Sequence, residues 1–210
     1  MSEIENKTGY DRLAWFYHRY WGARYHAAAF PVIERLFLTR MSADAALLDL
    51  CCGTGHLTQR LVDRGYRVTG IDASEPMLRF ARAALPKSDF IAADARAFSL
   101  ASHFQGALST FDSLNHLLSS DALTLAFRNV HAALRPGGLF LFDLNMEEAY
   151  RSEWGKASAI VEEDHLCIVQ GGYDSTRRIG RTEITLFHRA DLWQRAEITL
   201  LQKCHSPEEV

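Results

Sequence analysis

The stretch from Leu47 to Gly55, Leu-Leu-Asp-Leu-Cys-Cys-Gly-Thr-Gly, constrains this chain more than any other. An apolar run reaches Asp49, small residues follow, and a helical pattern opens at His56. That order describes a buried parallel strand, a tight loop and a helix start. Gly53 and Gly55 lack a Cβ, so the loop can take unusual backbone angles and let a ligand lie against it. Open α/β sheets bind ligands at this place, beyond the carboxyl ends of the strands. The loop is therefore expected to hold a cofactor.

The same alternation continues downstream. A helix over His56 to Arg64 is stopped by Gly65, a good residue just past a helix end. Strand 2 runs from Arg67 to Ile71 and ends at Asp72; Ser74 then caps a helix reaching about Leu85. Phe90 to Ala92 is a short strand 3 closing at Asp94, and Gln105 to Phe111 is strand 4. Asp121 is expected to cap the next helix, which Arg135-Pro136-Gly137-Gly138 ends, and Leu139 to Leu144 is strand 5. Strands alternating with helices of this length indicate βαβ units, hence an α/β fold with a doubly wound parallel sheet.

Two flanking regions differ. Residues Tyr10 to Arg40 are helical and aromatic, with Tyr10, Tyr17 and Trp21 on one face, and Pro31 is expected to open a second helix. Residues 1–42 are read as a helical lid in front of a core over 43–150. After Asn145 a short helix is followed by alternating apolar and polar runs, Ala159 to Val161, His165 to Gln170, Arg181 to His188 and Trp193 to Lys203. This alternation, punctuated by Gly171-Gly172, Asp174-Ser175 and Gly180, reads as an antiparallel insertion over 151–205 set against the open end of the sheet. Residues 206–210, Ser-Pro-Glu-Glu-Val, look like the N-cap and first turn of a helix that is cut short.

Composition narrows the function. The 210 residues are 48% hydrophobic and 23% charged with a formal net charge of -3 and no basic block, so a nucleic-acid partner is not expected. No apolar run approaches the roughly 18 residues of a membrane span, and none resembles a signal peptide. Cys51, Cys52, Cys167 and Cys204 form no C-x-x-C pair, and the histidines do not group with carboxylates at ligand spacing; a reducing cytoplasm and no metal site are expected. The oligomeric state is left open between monomer and homodimer.

The cofactor follows from three acidic residues at successive strand ends, Asp49, Asp72 and Asp94. Asp72, at the tip of strand 2, is where a carboxylate reaches a ribose diol. A dinucleotide site would need G-x-G-x-x-G, but Gly53-Thr54-Gly55-His56-Leu57-Thr58 lacks the third glycine. Asp49 beside the loop would also repel a pyrophosphate and suits a ligand with a cationic group. S-adenosylmethionine has a ribose, an adenine, an ammonium and a sulfonium, and no phosphate.

With these residues in view, residues 8 to 145 resemble the class I S-adenosylmethionine-dependent methyltransferases. The resemblance rests on Leu48 to Gly55, on Gly70-Ile71-Asp72-Ala73-Ser74 with Met77-Leu78, and on Ala93-Asp94-Ala95. It extends to Phe111 to His116, Leu134 to Gly138 and Tyr10 to Ala14. Cys51 departs from it, standing where the family's loop has its first glycine. The resemblance implies a Rossmann-like core with strand order 3-2-1-4-5, the family's last strands missing from this chain. It implies that Asp49, Cys51 and the Gly53 to Gly55 backbone hold the methionine portion and that Asp72 takes the ribose hydroxyls. Ala73 and Met77 would lie beside the adenine, and Asp94 and the Ala95 backbone would contact it. Phe111 would line the methionine part, and Tyr10, Tyr17 and Trp21 would close over the cofactor. The aromatic front and late insertion are similar to glycine/sarcosine and amino-sugar N-methyltransferases.

Methyl transfer from a sulfonium is an in-line displacement that needs alignment and exclusion of water. An amine acceptor must arrive unprotonated and a hydroxyl usually needs a base. The candidate catalytic residues are Asp112, Asn115 and His116, with His116 as the base able to work near pH 7 and Tyr173 and His165 as roof residues. The expected activity is methyl transfer to a small molecule, an amine more than a hydroxyl; a catalytically idle S-adenosylmethionine-binding protein is the alternative.

Overall fold

The apolar run Ala46–Leu50 forms β1, the centre of a five-stranded parallel sheet. The structure is a computed structural model and describes residues 3–189 and 191–210. The other sheet strands are β2 (Arg67–Asp72), β3 (Asp89–Ala92), β4 (Phe104–Ser109) and β5 (Leu134–Phe142), in the order β3-β2-β1-β4-β5. This is the order the family resemblance implies. The helices are α1 (Glu3–Phe16), α2 (Ala23–Leu36), α3 (His56–Asp63), α4 (Glu75–Ala84), α5 (Ser120–Ala133) and α6 (Glu147–Glu153).

All five β1 residues are buried, so the strand is covered on both faces. Ala46, Leu48 and Leu50 pack with Leu123, Ala126 and Val130 of α5. Leu47 points the other way, into a cluster with Leu57 and Leu61 of α3 and with Phe30, Ile33 and Phe37. Side chains alternate across a strand, so Asp49 shares the α3 face with Leu47.

Two local expectations fail here. Pro31 does not open a helix. The chain is helical from Glu3 to Leu36 through a π-helical turn at Tyr17–Gly22, and Pro31 lies inside α2. Burial of Phe30 and Ile33, at about 1.5–3 kcal/mol each, offsets the roughly 3 kcal/mol that an interior proline costs. The α5 N-cap is Ser119, whose hydroxyl accepts from Ala122 N; Asp121 sits in the first turn instead. Arg135 to Gly138 does end α5, as an irregular excursion between the pairs Phe104–Leu134 and Gly106–Leu139.

The insertion is a second sheet, an antiparallel meander of β6 (Ala157–Val161), β7 (His165–Asp174), β8 (Ile179–Arg189) and β9 (Trp193–Lys203). Its inner face, Cys167, Ile184, Leu186, Ile198 and Leu200, packs on Leu13 and Phe16 of α1. Gly171, Gly172 and Gly180 are not turn residues. They pair within β7 and β8, opposite Thr182, Arg181 and Tyr173 respectively. A Cβ on Gly171 would lie 2.3 Å from the Trp154 carbonyl oxygen and one on Gly180 2.5 Å from the Tyr150 ring, so these two glycines make room for α6 and the residue after it. The β7–β8 turn falls between Asp174 and Ile179.

Gly106 and Gly172 test this packing. A Cβ at Gly106 in the central strand β4 would meet the Phe37 ring at 2.4 Å, whereas Gly172 on β7 has nothing within 4 Å. Gly106→Ala should lose about 1–3 kcal/mol, read as a lower melting temperature, while Gly172→Ala should melt at or slightly above wild type.

Candidate active site

The loop after β1 owes its shape to three residues in the left-handed region, Cys51 (φ 60°), Gly53 (φ 54°) and Gly55 (φ 83°). Gly53 N donates to Asp72 Oδ2 at 2.8 Å, and Cys52 N donates to the Ile71 carbonyl at 2.9 Å, so β2 holds the loop down. The rings of Tyr17 and Phe111 lie 5.8 Å apart beside it. Gly55 serves helix packing: a Cβ there would lie 2.9 Å from the Ala81 Cβ of α4. Cys51 is strained, because a non-glycine residue in this region costs about 1–2 kcal/mol. Burial, with Asp72 and Asp49 nearby, pushes its thiol far up, so it is neutral.

One cavity of about 950 Å³, counting its open mouth, lies past the ends of β1, β2, β3 and β4. Eleven of the residues singled out from sequence line it: Tyr10, Tyr17, Cys51, Gly53, Asp72, Ala73, Met77, Asp94, Ala95, Phe111 and His116. Ile71, Ser74, Ala93, Arg96, Ser113 and Leu117 complete the wall. Asp72 Oδ1 accepts from Ser74 N at 2.8 Å, so each of its oxygens carries one backbone bond and keeps a lone pair. Asp94 Oδ1 takes both Arg96 N and Nε at 2.8 Å, and Oδ2 takes the far end of the same guanidinium at 2.6 Å.

Five expected site residues lie elsewhere. Trp21 packs against the inner face of the insertion, because the π-helical turn directs it there. Gly55 is under α4. Asp49 is 2% exposed on the α3 face of β1, where Thr58 Oγ1 donates to it at 2.6 Å; burial pushes its carboxyl up to about 7. Asn115 is fully buried with both amide hydrogens spent: its amide nitrogen donates to the Asn145 and Lys203 carbonyls at 3.1 and 2.8 Å, and its oxygen accepts from Asn145 N at 2.9 Å. It ties the Ser113–His116 turn to the end of β5 and to β9 and cannot act on a ligand. Asp112 is set just behind the lining.

His116 and Asp112 are bound to the insertion through β9. His116 Nδ1 lies 2.8 Å from the Leu201 carbonyl, which can only accept, so Nδ1 carries the proton and Nε2 a lone pair. Tyr10 Oη donates to that lone pair at 2.9 Å, and Gln202 Nε2 lies 3.2 Å away. Gln202 also donates to Asp112 and accepts from Tyr150 Oη at 3.2 Å. Burial lowers His116 to about 4, so the expectation of a base titrating near pH 7 fails: no carboxylate offsets the cost of charging this ring. Of the two, Asp112 is the one near neutrality, pushed up to about 7 by burial against the donation from Gln202. Neither His165 nor Tyr173 lines the cavity; His165 bonds Tyr20 and Asp164, and Tyr173 stacks on Tyr150.

Gln202 was legible in principle. It follows Ala196, Ile198 and Leu200 on the inward parity of β9, where a polar residue breaks the pattern.

Residues 47–138 match the family model described as a methyltransferase domain. Over these residues, somewhat less than half of the chain, the protein is similar to the methyltransferases. Over 103 residues it is 38% identical to a putative methyltransferase, YqeM, of Bacillus subtilis, a match covering 47% of this chain and 42% of that protein. It is 28% identical over 161 residues to the dTDP-3-amino-3,4,6-trideoxy-alpha-D-glucopyranose N,N-dimethyltransferase of Streptomyces venezuelae, covering 76% of this chain and 66% of that protein. Thus the chain spans 42% and 66% of the length of these two curated relatives. The structure of S-adenosylmethionine-bound CalS10, an amino pentose methyltransferase from Micromonospora echinaspora, superimposes with a TM-score of 0.74 at 26% identity, covering 92% of this chain and 84% of that one.

The residues lining the cavity fit S-adenosylmethionine. Asp72 has acceptor capacity for two hydroxyls, Asp94 Oδ2 for one amino hydrogen, and the Cys51 to Gly55 loop brings backbone rather than bulk to the cavity. The Cys51 strain gives a direct test. Cys51→Gly and Cys51→Ala both remove the thiol and differ only in the Cβ, so the glycine variant should be the more stable by about 1 kcal/mol in denaturant unfolding.

Proposed function

We propose that this chain transfers a methyl group from S-adenosylmethionine to a small-molecule acceptor, an amine in preference to a hydroxyl, by in-line displacement. The observation that carries this reading is that one cavity runs from Asp72 and Asp94, past β2 and β3, to Ser113 and His116, past β4. Donor and acceptor would share one space with no wall between them. The amine preference is supported by the amino-sugar N,N-dimethyltransferase among the relatives and by the electrostatics below.

Bound S-adenosylmethionine supplies an electrophilic methyl group on a sulfonium. In this reading Asp72 takes the ribose hydroxyls, Asp94 the adenine amino group, and Ala73, Met77 and Ala95 flank the ring. Gly53, Cys51, Tyr17 and Phe111 enclose the methionine portion. Residues 1–42 act as the lid, through Tyr10 and Tyr17, and residues 151–205 back the acceptor side, through the hold of β9 on His116. His116 Nε2, neutral at pH 7, accepts the acceptor's N–H in place of Tyr10 Oη and orients its lone pair toward the methyl. It is an orienting acceptor, since a group titrating at about 4 is a poor proton trap at neutral pH. Asp112, ionised above about 7, offsets the positive charge that grows on the acceptor nitrogen.

Two measurements check this. Asp72→Ala should weaken S-adenosylhomocysteine binding by at least about tenfold in calorimetric titration, the loss expected for two hydrogen bonds to a charged acceptor; unchanged affinity would contradict the ribose assignment. Transfer of radiolabelled methyl to a panel of amines, amino sugars included, should rise with pH through about 7 as Asp112 loses its proton. Asp112→Asn should lower the rate and remove that rise, and a rise that persists in the variant would rule Asp112 out as its source.

A further inference from the structure

The chain leaves β4 through two consecutive non-glycine residues with left-handed backbone, Phe111 (φ 65°) and Asp112 (φ 48°). Neither is helped by a missing Cβ, and the Asp112 side chain caps nothing in the turn that follows. Something outside the segment must hold it. Asp143, one residue past β5, does so from the neighbouring strand end. Its Oδ2 accepts from Phe111 N at 3.0 Å and its Oδ1 from Asp112 N at 2.8 Å, while its own N donates to the Ser109 carbonyl at 3.2 Å. Tyr25 of α2 completes the arrangement. Its hydroxyl donates to Asp143 Oδ2 and lies 3.1 Å from Phe111 N, and its ring stacks on Phe111 at 3.9 Å between centroids and 3° between planes.

Resting on the methyltransferase reading, we infer that Asp143 and Tyr25 are positioning residues that hold the Phe111–Asp112 turn. They thereby set the Phe111 ring on the donor side and the Asp112 carboxyl on the acceptor side of the cavity. Neither Tyr25 nor Asp143 lines the cavity; both act through the two residues they grip. The geometry also links the two halves of the site. Tyr25 belongs to the same helical segment as Tyr10 and Tyr17, so seating that segment over the donor and shaping the acceptor-side turn are one event.

The test uses the full chain and S-adenosylhomocysteine as the probe. Amide hydrogen exchange is followed for Phe111 and Asp112 in wild type, Tyr25→Phe, Asp143→Asn and Asp143→Ala, with β1 amides as the control for global stability. Tyr25→Phe and Asp143→Ala should speed exchange at Phe111 and Asp112 by about tenfold or more, the loss of one charge-assisted bond, with β1 unchanged. Asp143→Asn, which keeps an acceptor oxygen, should recover part of the protection. In wild type the probe should slow exchange over both 51–55 and 110–116; in Tyr25→Phe it should slow 51–55 alone. Wild-type exchange at Phe111 and Asp112 in Tyr25→Phe, or continued probe protection of 110–116 there, would overturn the inference. Should Asp143→Ala fail to fold, Tyr25→Phe and Asp143→Asn decide it. A wild-type chain that does not bind the probe would defeat the methyltransferase reading, while the exchange rates without probe would still decide the clamp.

Discussion

Where parallel strands end, their backbone amides lose the ladder that satisfied them, and in this molecule carboxylates at neighbouring strand ends take them up. Asp72 receives Gly53 N and Ser74 N, Asp94 receives Arg96 N, and Asp143 receives Phe111 N and Asp112 N. An unpaired buried amide costs about as much as a lost hydrogen bond, so these contacts set where each loop can go. The cavity is the space that the loops so held leave between them. The acidic rim is thus structural before it is chemical. Asp72 shows that the two uses are compatible, since a carboxylate has more lone pairs than two amides occupy.

The antiparallel sheet changes the chemistry of the parallel one. The Leu201 carbonyl fixes the His116 tautomer, and Gln202 donates to Asp112 while its amide nitrogen lies 3.2 Å from His116 Nε2. Enclosure by β9 and by Tyr10 moves these two groups in opposite directions, the imidazole down and the carboxyl up, because burial disfavours whichever form is charged. A histidine that looks like a neutral-pH base in the sequence becomes an uncharged acceptor, and the aspartate beside it becomes the group that titrates near neutrality. For a reaction that builds positive charge on the acceptor, that division suits a negative field from Asp112 and an orienting lone pair from His116.

Most of the cavity wall past β1, β2 and β3 could be read from the chain because its signals are local. Asp72 and Asp94 sit at fixed distances along βαβ units whose topology is nearly determined by the alternation of strand and helix. The wall past β4 could not, because its partners are far apart in sequence: His116 with Leu201, Asp112 with Gln202, and Phe111 with Asp143 and Tyr25. Asp143 is the one charge in the apolar run Leu139 to Leu144, but nothing local points to the amides it grips. Local rules also misled where packing outweighed them. Turn and helix-start rules point to a helix opening at Pro31 and to turns at Gly171 and Gly180, whereas burial of Phe30 and Ile33 and the close approach of Tyr150 and Trp154 decide those positions.

By itself, then, the sequence determined the α/β class, the glycine loop after β1 and the carboxylates at the ends of β2 and β3, since period, turn chemistry and strand-end position are properties of short segments. Only the tertiary structure decided which side chains face the cavity, which are spent on holding loops, and the protonation of His116 and Asp112. Those depend on burial and on hydrogen bonds between residues up to 118 positions apart, which no local pattern records.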